Sequence, residues 1–193
     1  MKNKVKIAGK VITREPNHIN KYGQFFKSIV EVQRVSGIVD KVNIVYPESF
    51  NISVEDEITI EGPLRTYTKD PSTLAKGETR LFLYVDVEDV RPFEESINSV
   101  EFEGEIVKQP ILRVTPKGKD ICDVLLKNVD DFRKAYVPTI VWKDLAKKVS
   151  EAAVGDTILI KGNLQSREYN KVIDEDTLTI TTFELNTLEC ELN

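Results

Sequence analysis

The chain has 193 residues and a formal net charge of −5, with 40% hydrophobic and 31% charged residues. Its apolar runs are only a few residues long, which excludes a membrane-spanning helix and describes a globular chain able to bury a core. The acidic balance excludes a generally polycationic binder, so a phosphate-bearing ligand has to be met by a local groove.

The N-terminus alternates apolar and polar residues from Val5 to Thr13 (VKIAGKVIT) and reads as a first strand carrying Gly9. Tyr22-Gly23 marks a turn before a second strand, Gln24–Gln33, and Ser36-Gly37 turns the hairpin that follows. Tyr46 closes the next strand, and PESFNISVED is too short and too β-branched for a long helix. The strand Glu57–Tyr67 carries Gly62, and a loop over Thr68–Glu78 holding Pro71 and Gly77 leads to a closing strand, Glu78–Val87. Residues Arg91–Ser99 read as a linker, which places a boundary near Glu95 between domains 1–95 and 96–193.

The second half repeats the first. Gly9 answers to Gly104, and Gly23 to Gly118, both 95 residues on. Tyr46 is set against Trp142, and Gly62 against Gly162 with the offset grown to 100, which places a helix-containing insertion in the second copy. That helix spans Asp144–Val154, with Leu145, Val149 and Ala152 on one face, and Gly155-Asp156 stops it. Ile158 and Ile160 alternate along the strand after it, and Gly162 interrupts that strand as a glycine does at a barrel bend. Pro138 removes one ladder donor from the strand before the helix, and Asp176–Leu185 closes the second copy. The expected architecture is all-β with one helix in the second domain: tandem five-stranded Greek-key barrels of the oligonucleotide-binding (OB) fold.

Little points to catalysis. His18 is the only histidine, lies in a loop and has no motif around it. No Cys/His spacing suits a metal and no Gly-rich phosphate loop occurs, so neither cofactor nor metal is expected. The acidic runs Glu55-Asp56-Glu57, Asp130-Asp131 and Asp174-Glu175-Asp176 fall at turns. Cys122 and Cys190 make no disulfide framework and fit free thiols in a cytoplasmic protein.

Single-strand binding is the reading with a mechanism, since bases stack on exposed aromatics while a basic groove follows the backbone. Period-2 parity puts Gln165, Arg167 and Tyr169 on one face opposite Leu164, and Arg65, Tyr67 and Lys69 on the corresponding face of the first copy. Tyr136, Ile140 and Trp142 share a face of the preceding strand. Each has an ordinary structural role open to it: Trp142 as a cap on the core, Tyr67 and Tyr169 as half-buried strand aromatics, Arg65 and Arg167 as solvated cations.

Three segments carry a family resemblance. EGEIVKQPILRVTPKG (Glu103–Gly118), VPTIVWKDLAKKV and VGDTILIKGNLQSREY (Val154–Tyr169) occur in the order found in the bacterial single-stranded DNA-binding proteins, which this stretch resembles. The resemblance implies stacking aromatics at Tyr136, Trp142 and Tyr169, with Arg113, Phe132, Arg133, Lys134 and Arg167 along the strand's path, and the shared parity adds Arg65, Tyr67 and Lys69 as first-copy counterparts. It implies single-stranded DNA as partner, in support of replication, recombination or repair. It also implies a homodimer, because the family assembles four barrels around its DNA. The chain ends at ECELN without the family's acidic tip, so recruitment of replication proteins is not expected. RNA binding and a barrel pair kept as an assembly module are the alternatives.

Overall fold

Strict alternation builds the first strand, β1 (Asn3–Val11), which buries Val5, Ile7 and Val11. The computed structural model describes residues 1–74, 78–130, 133–173 and 176–192. After β1 come β2 (Glu15–Asn20), β3 (Gly23–Gln33), β4 (Val39–Pro47), β5 (Glu57–Gly62), β6 (Leu64–Thr68), β7 (Leu81–Asp86) and β8 (Asp89–Pro92). The second half runs β9 (Ile97–Ile106), β10 (Ile111–Val114), β11 (Asp120–Asp130), β12 (Arg133–Trp142), α1 (Lys143–Ser150), β13 (Thr157–Ile173) and β14 (Asp176–Leu192).

Each half closes in the same way. In the first, β1 pairs with β3 and β5, β3 with β4, and the ring shuts through a parallel contact of Ile44 with Val85 between β4 and β7. In the second, β9 pairs with β11 and β13, β11 with β12, and a parallel contact of Thr139 with Leu185 joins β12 to β14. These are two Greek-key barrels of the OB type. One difference has a simple cause. Pro63 has no N–H and separates β5 from β6, whereas Asn163 lets β13 continue as one strand.

The repeat extends to side chains. Asn3 accepts from the Leu64 N–H at 2.7 Å and donates to its carbonyl at 3.0 Å, and Asn98 does both for Leu164 at 2.8 and 2.7 Å. Asp56 accepts from Ser53 N–H at 2.7 Å, and Asp156 from Ala153 N–H at 2.8 Å, which holds the turn before each fourth barrel strand. A Cβ on Gly62 would lie 2.0 Å from the Asp86 carbonyl, and one on Gly162 would lie 1.9 Å from that of Asn186. Both glycines are therefore required by close backbone approach at the bend.

The halves join edge to edge, β1 running antiparallel to β9 from Asn3 opposite Phe102 to Ala8 opposite Ile97. One apolar cluster runs through both barrels, including Ile7, Ile44, Ile60 and Leu64 from the first and Phe102, Leu126, Ile158 and Leu185 from the second. Around the seam the polar contacts come in pairs. Tyr136 N–H donates to Thr66 Oγ1 at 2.8 Å and Lys41 N–H to Ser166 Oγ at 3.0 Å. Arg65 Nη2 donates to Asp130 Oδ2 at 3.0 Å, and Arg34 Nη2 to Gln165 Oε1 at 3.5 Å. Losing Arg65 removes the seam hydrogen bond to Asp130 and the packing of the buried stem, while Asp130 keeps contact with water. The buried Nε and Nη1, which have no partner among the described residues, are removed as well. Arg65→Ala is therefore expected to lower stability by about 1 kcal/mol. The shift in urea midpoint measures it, and a change within error would show that Arg65 contributes nothing to the seam.

Several expectations need correcting. The helix stops at Ser150 rather than Val154, though the first half, as expected, has no long helix and only a 3₁₀ turn, Glu48–Phe50, in its place. The segment read as a linker is mostly strand, because Arg91 and Pro92 pair with β5 and β9 begins at Ile97. Tyr46 does not correspond to Trp142. The parallel closures set Ile44 against Thr139, so Tyr46 matches Val141 and Pro47 matches Trp142. Tyr46 is fully buried, its hydroxyl 2.8 Å from Ser28 Oγ. β14 runs on to Leu192, well past Leu185. Gly77 lies outside the described residues, as do Asp131, Asp174 and Glu175.

Candidate nucleic-acid interface

On β12, Ala135, Val137 and Val141 belong to the core, so Tyr136, Pro138, Ile140 and Trp142 point to the other side. Cross-strand register extends this outward face in both directions. Ile140 lies beside Asn186 and Trp142 opposite Ile121, while Asn186, Glu184, Thr182 and Ile180 are opposite Asn163, Gln165, Arg167 and Tyr169. β10 contributes Arg113, opposite Ile121. One face of the second barrel thus gathers Arg113, Tyr136, Trp142, Arg167 and Tyr169.

Trp142 is half-buried and fixed in place. Its indole N–H donates to Asn186 Oδ1 at 2.7 Å, and the Asn186 amide donates in turn to Asn163 Oδ1 at 3.0 Å. Tyr136 is 38% exposed and Tyr169 42%, enough ring surface for a base to stack upon. Lys134 is exposed, and Arg133 is exposed while reaching across the seam to Asp86 at 2.9 Å. Phe132 lies outside the described residues.

The face is not a bare cationic groove. Arg113 is engaged by Asp123 through two N–H groups, and Arg167 Nη2 lies 3.8 Å from Glu184 Oε2. Glu184 is only 6% exposed, accepts from Gln165 Nε2 at 2.7 Å, and its carboxyl is pushed upward by burial against the opposing influence of Gln165 and Arg167. Neither Asp123 nor Glu184 announces itself in the sequence, where both sit in unremarkable alternating strands.

The corresponding face of the first barrel is built differently. Lys41 and Pro47 stand where the second has Tyr136 and Trp142. Arg65 is buried under the β11–β12 hairpin and paired with Asp130, so it is not on an exposed row as parity suggested. Parity assigns a side of the sheet but does not show that the other half covers it. Tyr67 remains 40% exposed and heads a cluster, its ring centroid 5.0 Å from Phe82 and 6.0 Å from Tyr84. Lys69 Nζ lies 5.5 Å from the Phe82 centroid and 3.2 Å from Glu78. Burial raises the Tyr67 and Tyr84 phenols. Phe82 and Tyr84 are legible in RLFLYVDV as the residues on the side opposite Leu83 and Val85. A cleft of about 280 Å³ opens here between Lys27, Asn43, Lys69 and Phe82 on one side and Thr181 and Phe183 of β14 on the other.

His18 stacks on Phe25 at 4.6 Å, and the two thiols are free, burial pushing Cys122 up to about 11. No helix among the described residues is long and apolar enough to cross a membrane, and none of their His, Cys, Asp or Glu side chains group as a metal site.

Residues 97–189 match the model of the single-strand binding protein family. Two solved structures are similar over the entire chain. One is the wild-type single-stranded DNA binding protein from Thermus aquaticus, with TM-score 0.71, 20% identity and 93% of its length covered. The other is a deletion mutant of that protein, with TM-score 0.68, 22% identity and 94% covered. No curated protein matches the sequence.

Proposed function

We propose that the chain binds single-stranded DNA without strong sequence preference, by stacking bases on Tyr136, Trp142 and Tyr169 and meeting phosphates with Arg113, Arg133, Lys134 and Arg167. The observation that carries this is the outward face of the second barrel. There a pinned indole and two exposed tyrosines share one side of the sheet with two arginines, within the stretch that matches the single-strand binding family. Stacking tolerates any base because every base has a π-face, and each stacked ring contributes about 1–3 kcal/mol. Tyr67 and Lys69, with Phe82 and Tyr84 behind them, form a smaller platform on the first barrel, and Arg65 serves the seam instead.

In this reading the chain is two domains, 1–95 and 96–193, working in the cytoplasm in replication, recombination or repair. Two copies bring four barrels to one strand. Light scattering at twice the mass of the chain is the expected result for the dimer, and a strict monomer at high concentration would remove it.

The function is tested by anisotropy of labelled thymine, adenine and cytosine homopolymers beside a duplex of the same length. Binding all three single strands tightly and the duplex weakly is expected. Equal affinity for duplex, or none for any strand, would overturn the reading.

A further inference from the structure

Two of the arginines available to phosphate on the second barrel's face, Arg113 and Arg167, are each paired with an acid of that same face. Arg113 is engaged by Asp123, and Arg167 lies 3.8 Å from Glu184. The two acids differ in environment. The Asp123 side chain is 38% exposed, whereas Glu184 as a residue is 6% exposed and fixed by Gln165 at 2.7 Å. Glu184 is also peculiar to this half, because the same register position in the first barrel, opposite Arg65, is Tyr84.

Resting on the single-strand reading above, we propose that Glu184 sets the affinity of the face: its carboxylate competes with the strand's phosphates for Arg167 and holds the groove close to charge balance. A phosphate that takes Arg167 leaves Glu184 buried and without its cation, which opposes binding. The competition is proton-sensitive. The charged and titratable groups facing Glu184 are Arg167 on β13, Asp123 on β11 and Arg113 on β10, with the neutral Gln165 beside it on β13. β12 flanks it with Pro138 and Ile140, which carry no charge. Burial holds the Glu184 carboxyl above the usual carboxylate range, so it takes up a proton before exposed acids do as pH falls. Protonation then releases Arg167.

Glu184→Gln keeps the size of the side chain and its amide can still meet Gln165, while the charge is removed. Affinity for a thymine homopolymer is measured for both proteins across a salt series and from about pH 8 to about pH 5. The expected result is binding about threefold to tenfold tighter for Glu184→Gln at neutral pH, with a salt slope steeper by about one unit for the freed arginine. The variant's advantage over wild type should narrow toward the acid end of the series, because the Glu184 carboxyl is raised and protonates ahead of exposed acids. Wild type that binds, with a variant of equal or weaker affinity, overturns the inference and leaves the single-strand reading intact. Wild type that binds no strand sinks both. Should Glu184→Gln fold poorly, Arg167→Gln in the wild-type background decides: the salt slope should fall by less than about one unit if Glu184 already balances that arginine, and a full fall of about one unit overturns the proposal.

Discussion

Trp142→Ala leaves a folded protein that binds a homopolymeric strand about 5-fold to 150-fold more weakly, a loss of about 1–3 kcal/mol for one stacked base. The expectation follows from where the ring stands. It lies on the outward side of β12, opposite Ile121, while the core-facing residues of the strand are Ala135, Val137 and Val141. Its indole N–H donates to Asn186, whose amide retains Asn163 as a partner when the indole is gone. A tryptophan of the core would behave otherwise, its loss costing about 3–5 kcal/mol of stability. Thermal unfolding and strand affinity measured on one variant separate these outcomes. A folded variant with unchanged affinity would remove Trp142 from the interface and favour a barrel pair kept for assembly.

Gly162→Ala is the opposite experiment and has the larger effect on folding. The new Cβ would fall 1.9 Å from the Asn186 carbonyl, in the register shift between Lys161 and Gly162 where β13 bends. Backbone on both sides must move, and that movement strains the parallel closure of β12 on β14 as well as the asparagine that fixes Trp142. A loss of about 3 kcal/mol or more is expected, at or beyond the upper end of ordinary overpacking, because the clash is with main chain and not with a side chain able to rotate. Gly62→Ala meets the Asp86 carbonyl in the same way and should cost a similar amount. Urea midpoints near wild type for both would show that the bend accommodates a methyl group after all.

Barrel strands such as β1, β9 and β11 were legible because they alternate, and the duplication because its glycines stand where backbone meets backbone at matched positions. By contrast β2, where the sequence leads to a loop around His18, and β10 show no alternation to find. Tyr46 and Trp142 look equivalent in the sequence but are not, for a specific reason. The insertion that shifts the second copy comes after β12, so the offset is still 95 at the parallel closure, and matching one aromatic with another skipped a residue. Parity groups Trp142 with Tyr136 and Ile140, but only the family resemblance implies that this face is the outward one. Burial of Arg65 follows from neither, since it arises from a hairpin of the other half that no local pattern records. The same limit hid Glu184. Its sequence neighbours, Phe183 and Leu185, identify a strand, but only the register of β14 on β13 sets it beside Arg167 and Gln165.

The central claim is that the outward face of the second barrel receives a single strand, and the chain's one tryptophan reports on it directly. Titrating the protein with a thymine homopolymer while following tryptophan emission should give saturable quenching, weakened by added salt with a slope that reflects the phosphates neutralised. Emission that does not change while strand binding is detected by another probe would place the strand elsewhere on the molecule and contradict the account.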